Sequence, residues 1–122
     1  MKYFEWVKAL SDIYLEDSYV LEIRERPSEI QFEMEFVLRE SHPFYAKPKS
    51  GERYCYRRGI LRLNNCTDVQ FDRSSTVSFD ANNEVDLGNI DVFDRDGDQI
   101  LMSGDWGKLS LKSNDVLVFI AS

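Results

Sequence analysis

Asp94, Asp96 and Asp98, at alternate positions in Asp94-Arg95-Asp96-Gly97-Asp98, come closest in type and spacing to a known chemistry. Close carboxylates supply the hard oxygen ligands that calcium takes. In an EF-hand loop, however, the glycine follows the third acidic ligand and a glutamate closes the loop six positions later. Here Gly97 precedes Asp98 and no such glutamate follows. Asp-Gly is also the standard chemistry of a tight turn. The run reads as a solvated hairpin turn, and no metal or cofactor is expected.

The same aspartates belong to a wider acidic stretch, Asp80, Glu84, Asp86, Asp91, Asp94, Asp96 and Asp98, interrupted only by Arg95. Residues 1 to 62 hold eleven basic and eleven acidic side chains, whereas residues 63 to 122 hold four and eleven, so the whole net charge of −7 lies in the second half. An acidic balance works against nucleic-acid binding, which needs lysine and arginine to displace phosphate counterions. It suits capture of a basic protein partner, with Asp86, Asp91, Asp94, Asp96 and Asp98 as the candidate binding residues, or it serves solubility alone.

One basic and aromatic cluster exists: Lys47, Lys49, Arg53, Arg57, Arg58 and Arg62, with Tyr45, Tyr54 and Tyr56 among them. Cations beside stacking rings can hold an anion or a small ligand, which makes Tyr54, Tyr56, Arg57 and Arg58 the candidate ligand site. The alternative is charge pairing across a sheet with residues such as Glu33 and Glu35. His42 is the sole histidine and has neither a nucleophile nor a catalytic signature beside it. It reads as a loop residue, and a non-enzymatic role is expected.

These residues must be positioned by strands. From Glu29 to Arg39, Ile30, Phe32, Met34, Phe36 and Leu38 occupy every second position with Gln31, Glu33 and Glu35 between them. Only a strand turns such a row to one face. Before it, Glu16 to Arg26 reads as a strand with Tyr19, Leu21 and Ile23 on one face, and Pro27-Ser28 supplies the hairpin turn. Arg53 to Leu63 reads as a strand whose parity switches from Tyr54 and Tyr56 to Leu61 and Leu63, with a bulge at Gly59. Val69 with Phe71, Val77 with Phe79, Val85 with Leu87, Ile100 to Met102, Trp106 to Leu111 and Val116 to Ile120 continue in shorter pieces between turn residues. Trp106 is expected to pack in the core.

Ahead of the strands, Tyr3, Phe4, Trp6, Val7, Leu10, Ile13 and Tyr14 recur at mainly three- and four-residue spacings, which predicts a short amphipathic helix over residues 2 to 14. Ser41 to Gly51, with Pro43 and Pro48, reads as a loop. The fold class expected is mainly β: an antiparallel sandwich or partly open barrel of eight or nine strands, with one N-terminal helix, as a single domain over residues 1–122. No signal-like h-region and no bilayer-spanning apolar run of roughly 20 residues is present, so a cytoplasmic location and no membrane partner are expected. Cys55 and Cys66 are expected to stay unbridged there. The oligomeric state stays open.

The segment Leu15-Glu16-Asp17-Ser18-Tyr19-Val20-Leu21-Glu22-Ile23, the alternating strand after it, and Ile60-Leu61-Arg62-Leu63-Asn64-Asn65-Cys66-Thr67-Asp68-Val69-Gln70-Phe71 together resemble a layout of small bacterial β-domains of unknown function. Some of these are grouped with predicted immunity proteins of toxin systems, and Gly104-Asp105-Trp106-Gly107 is a later echo. The resemblance covers about the first 70 residues. It implies an all-β binding protein that blocks a toxin, with no catalytic residues to carry over.

Overall fold

The computed structural model describes residues 3–74, 78–79 and 85–121, without the side chains of Phe4, Ser78, Phe79 and Val85. Asp80 and Glu84 of the acidic stretch and Val77 of the alternation lie outside the described residues.

The alternating segment forms β2 (Glu29–Leu38), and its whole apolar row is buried: Ile30, Phe32, Met34, Phe36 and Leu38 are each at most 2% exposed. Gln31, Glu33 and Glu35 on the other face are half-buried. β2 lies between β1 (Ile13–Arg26) and β3 (Cys55–Asn64), and β10 (Asp115–Ile120) pairs with β3 to complete a four-stranded antiparallel sheet, β1-β2-β3-β10. The second sheet, β4-β9-β8-β7, is built from β4 (Thr67–Arg73), β7 (Val92–Asp96), β8 (Gln99–Gly104) and β9 (Gly107–Lys112). β5 (Ser78–Phe79) and β6 (Val85–Asp86) form a small separate pair. Ten strands are thus described, two of them only two residues long. The two large sheets do not close into a barrel among the described residues. They face each other as a sandwich, burying Phe32, Met34, Phe36, Leu61 and Leu63 from one and Phe93, Ile100, Met102, Leu109 and Leu111 from the other. No described helix is long and apolar enough to cross a membrane.

The N-terminal helix is far shorter than the spacing predicts. One α-turn, α1 (Tyr3–Trp6), is followed by a 3₁₀ turn over Lys8–Leu10, and Ile13 and Tyr14 already belong to β1. An isolated helix of this length is marginal, whereas Ile13 and Tyr14 gain ladder partners in Leu38 and Val37. The two turns pack against both sheets. The Trp6 ring meets Phe93 edge-on at 4.8 Å, and Val7 and Leu10 are buried in the core.

Two further expectations fail for one reason, the placement of bulges. β1 carries register shifts between Tyr14 and Tyr19 and between Val20 and Glu22, each of which reverses the facing of the residues beyond it. Val20 and Ile23 are therefore buried, while Tyr19 is 44% exposed and Leu21 half-buried. The first irregularity is held by Ser18, a fully buried polar side chain. Its hydroxyl donates to Tyr14 O at 2.8 Å and accepts from Val37 N–H at 2.9 Å. Ser18→Ala leaves that buried N–H without a partner and should cost about 1–3 kcal/mol in urea unfolding. A change within error would show that water takes the hydroxyl's place.

β3, by contrast, has no bulge. Its register with β2 runs unbroken from Leu38↔Cys55 to Ile30↔Leu63, and Cys55, Leu61 and Leu63 share the inward face. Tyr54 and Tyr56 have outward parity and are half-buried. Gly59 is required for space, not for a turn. A Cβ there would lie 2.1 Å from Phe119 O and 2.8 Å from Cε2 of Phe36, whose ring occupies the position a side chain would take.

Candidate functional site

Strand alternation sorts the acidic stretch. β7 is an edge strand with Phe93 and Arg95 turned inward and Asp94 and Asp96 exposed on the outer face, opposite Leu101 and Gln99 of β8. The Arg95 guanidinium lies 5.5 Å from the Trp6 ring, and its Nε donates to Gly97 O at 2.5 Å. The one cation in the stretch is therefore withdrawn from the face that carries the acids. Asp98 is exposed in the turn after Gly97, where φ of +63° suits glycine. Asp91 is exposed just before β7, with its N–H donating to Ser103 O at 2.8 Å. Asp86 stands apart at the end of β6, and its carboxylate accepts from Gly88 N–H at 2.9 Å.

None of these five carboxylates forms an ion pair among the described residues. Lys108 and Lys112 share the outer face but lie two strands away on β9, and Lys112 is already 3.4 Å from Asp68. Asp91, Asp94, Asp96 and Asp98 thus border one edge of the second sheet. Among the described residues, no three His, Cys, Asp or Glu side chains converge as a metal-binding group.

The basic and aromatic quartet is divided by the same alternation. Tyr56 and Arg58 share the outer face of β3. The Tyr56 ring meets Tyr54 edge-on at 6.2 Å and lies 6.3 Å from Tyr19. Burial, then the neighbouring Tyr19 and Glu35, push the Tyr56 hydroxyl pKa upward. Arg57 points to the opposite face, donates to Ala121 O at 3.0 Å and lies 5.5 Å from the Phe44 ring. Arg58 instead lines a shallow cleft of about 430 Å³ with Arg24, Glu33, Gly59, Ile60, Phe119, Ile120 and Ala121. Tyr54, Tyr56 and Arg57 are not part of it. Of the expected pairing between the basic cluster and acids across the sheet, Arg62 alone has a partner among the described residues, its Nε 3.8 Å from Glu29. Glu33 takes Arg24, outside the cluster, at 3.4 Å, and Glu35 forms no ion pair among the described residues.

Sequence reasoning missed one polar centre, at the N-terminal turn. The Tyr3 hydroxyl donates to Glu16 Oε2 at 2.5 Å and accepts from Leu15 N–H at 3.1 Å, which ties α1 to β1. Burial first, and the Glu16 carboxylate second, push its pKa up to about 12. A folded-state pKa above the unfolded value of about 10 means that the contact stabilises fully below pH 10 and is lost as pH rises through 12. The melting-temperature advantage of the native protein over Tyr3→Phe should therefore be constant to about pH 10 and shrink toward pH 12. Melts at fixed ionic strength across that range check this, and a constant gap would refute it. His42 is a half-buried loop residue whose Nδ1 accepts from Phe44 N–H at 3.0 Å.

A scan against protein-family models, a search of curated proteins and a search of solved structures each return no match for this chain.

Proposed function

We propose that this chain is a non-enzymatic protein-binding module that takes a basic protein partner on the edge of its second sheet. The observation that supports this reading is the row of exposed, unpaired carboxylates Asp91, Asp94, Asp96 and Asp98 bordering β7, with Arg95 folded away beneath them. Asp86 extends the row if the partner spans the loop before β7. Such a field steers a basic surface into contact and speeds association. A toxin-immunity role accords with this reading, since blocking a toxin needs a tight complementary surface and no catalysis. On this reading the protein works in the cytoplasm, where Cys55 and Cys66, both free and buried, remain reduced.

The test compares the native protein with a variant carrying Asp→Asn at all five positions, each immobilised and exposed to lysate of the native cell. A basic protein should be retained by the native protein, released by salt and lost in the variant. Association rates of that protein should then fall steeply with ionic strength for the native chain only. Equal capture by both proteins would refute the acidic edge as the binding surface.

A second reading is supported by the cleft at Arg58, where an exposed guanidinium stands beside Ile60 and Phe119 and suits a small aromatic anion. Titration with benzoate, read by amide shifts at Arg58 and Phe119, tests it. No shift at millimolar ligand would dispose of it.

A further inference from the structure

We infer that two copies of this chain associate through the free edge of β10, joining their β1-β2-β3-β10 sheets into one eight-stranded sheet. The β10 edge lies beside the β7 edge, with Arg95 and Val116 lining one small cleft, but the pairing uses none of the candidate aspartates, so it is tested without them.

Exposed sheet edges invite pairing, and proteins blunt them with charge, bulges or proline. Three of the four large-sheet edges here are blunted. β1 has two register shifts and carries Glu16, Asp17, Glu22, Arg24, Glu25 and Arg26. β4 has a register shift beside Asp68, whose φ is +52°, and ends in Asp72 and Arg73. β7 carries Asp94, Arg95 and Asp96. β10 has no bulge, and after Asp115 no charge or proline: from Val116 to Ile120 it reads Val-Leu-Val-Phe-Ile, with an unbroken register to β3. The N-terminal turns pack beside it, with Trp6 and Val7 next to Val116, but make no backbone hydrogen bond to it. Its outward side chains, Leu117 and Phe119, are 38% and 46% exposed.

Hydrogen-bond parity shows which backbone groups are available. Ala121 N–H donates to Arg58 O at 2.8 Å, so the odd-numbered residues of β10 direct their N–H and C=O groups at β3. Those of Val116, Val118 and Ile120 then point to the free edge. No described residue outside β10 and β3 makes a backbone hydrogen bond to them.

This pattern is self-complementary. A two-fold axis at Val118 pairs Val118 with its own copy and Val116 with Ile120 of the other chain, all hydrogen-bonded pairs. Leu117 of one copy then lies opposite Phe119 of the other as a close, non-hydrogen-bonded pair, covering both exposed side chains. Asp115 falls opposite Ala121 of the other copy. The small alanine leaves it facing Arg58 on the next strand, an exposed cation with no ion pair among the described residues. The charges at the two ends of the paired strands are therefore complementary between copies, which favours a second copy over an unrelated strand.

Sedimentation across a micromolar to millimolar concentration series should show the native chain passing from one chain's mass to two. Val118→Pro removes only a free-edge N–H, which an edge strand tolerates, and should abolish the dimer while far-UV circular dichroism stays unchanged. Leu117→Lys, which places charge on an already exposed site, should weaken it as well. Register is tested by cysteines: an equimolar mixture of Leu117→Cys and Phe119→Cys chains should form a disulfide-linked dimer under mild oxidation, and neither variant alone should do so efficiently. A native chain that stays monomeric throughout overturns the inference. So does a dimer indifferent to Val118→Pro, or one in which Phe119→Cys links to itself as readily as to Leu117→Cys.

Discussion

Phe32→Ala is expected to lower the unfolding free energy by about 3–5 kcal/mol, a large part of the 5–15 kcal/mol that a domain possesses. Phe32 has no solvent exposure, sits centrally on β2, and meets the Trp106 ring of the facing sheet edge-on at 5.1 Å. Removing the ring forfeits its transfer free energy and leaves a hole that two packed sheets cannot collapse into without moving apart. Urea unfolding, with the slope held near the native value, measures the loss. A cost under about 1 kcal/mol would mean that the ring is not enclosed, and the sandwich would have to be redrawn.

Trp106→Ala should cost a similar amount, about 3–5 kcal/mol, and should not add to the first. Trp106 is 3% exposed and touches Phe71 at 5.8 Å as well as Phe32, while its indole N–H donates to Asn89 O at 3.1 Å. That carbonyl belongs to the loop before β7. Asn89 also donates from its side chain to Ser18 O at 2.7 Å, so the tryptophan fixes a loop that ties the second sheet to β1. Trp106→Phe keeps most of the apolar volume and loses the hydrogen bond, so its cost should be smaller. In a double-mutant cycle with Phe32→Ala, the combined loss should fall short of the sum, because both variants open the same space. Strict additivity would show that the two rings do not share a contact that matters.

The residues most legible in the sequence are those where one periodicity runs without interruption. The row from Ile30 to Leu38 is buried as its alternation dictates, and the turn at Pro27-Ser28 joins β1 and β2 with Arg26 directly opposite Glu29. Departures from a period are not legible in this way. The bulge at Ser18 is not signalled by the local alternation, because the N–H that its hydroxyl satisfies, that of Val37, is distant in sequence, although the same hydroxyl also donates to the nearby Tyr14 O. It turns Tyr19 outward although Tyr19, Leu21 and Ile23 alternate as a core row would. At Gly59 the discrepancy runs the other way. Placing Tyr54 and Tyr56 in the core requires a bulge, whereas tyrosine is equally at home on a half-wet sheet face and the strand continues unbroken. The division of the candidate sites is within reach of the sequence. Adjacent strand residues point to opposite faces, which separates Arg57 from Arg58 and Arg95 from Asp94 and Asp96 once the strands are accepted. The Tyr3 anchor is not, since its partners lie on another element.

The order of strands also governs how the chain reaches its native state. β1, β2 and β3 are consecutive and can zip up as a meander, but the neighbour that completes their sheet is β10, whose Val118 pairs with Leu61 only after every intervening strand has been made. Closing so long a loop costs entropy before any contact repays it, so folding belongs to the slow, millisecond-to-second regime of non-local β topologies. During that interval β3 offers an unfinished hydrophobic margin, and during synthesis it does so for as long as the ribosome takes to deliver the last strand. Chaperone dependence in the cell should consequently track events at this seam, far from any residue that binds a partner.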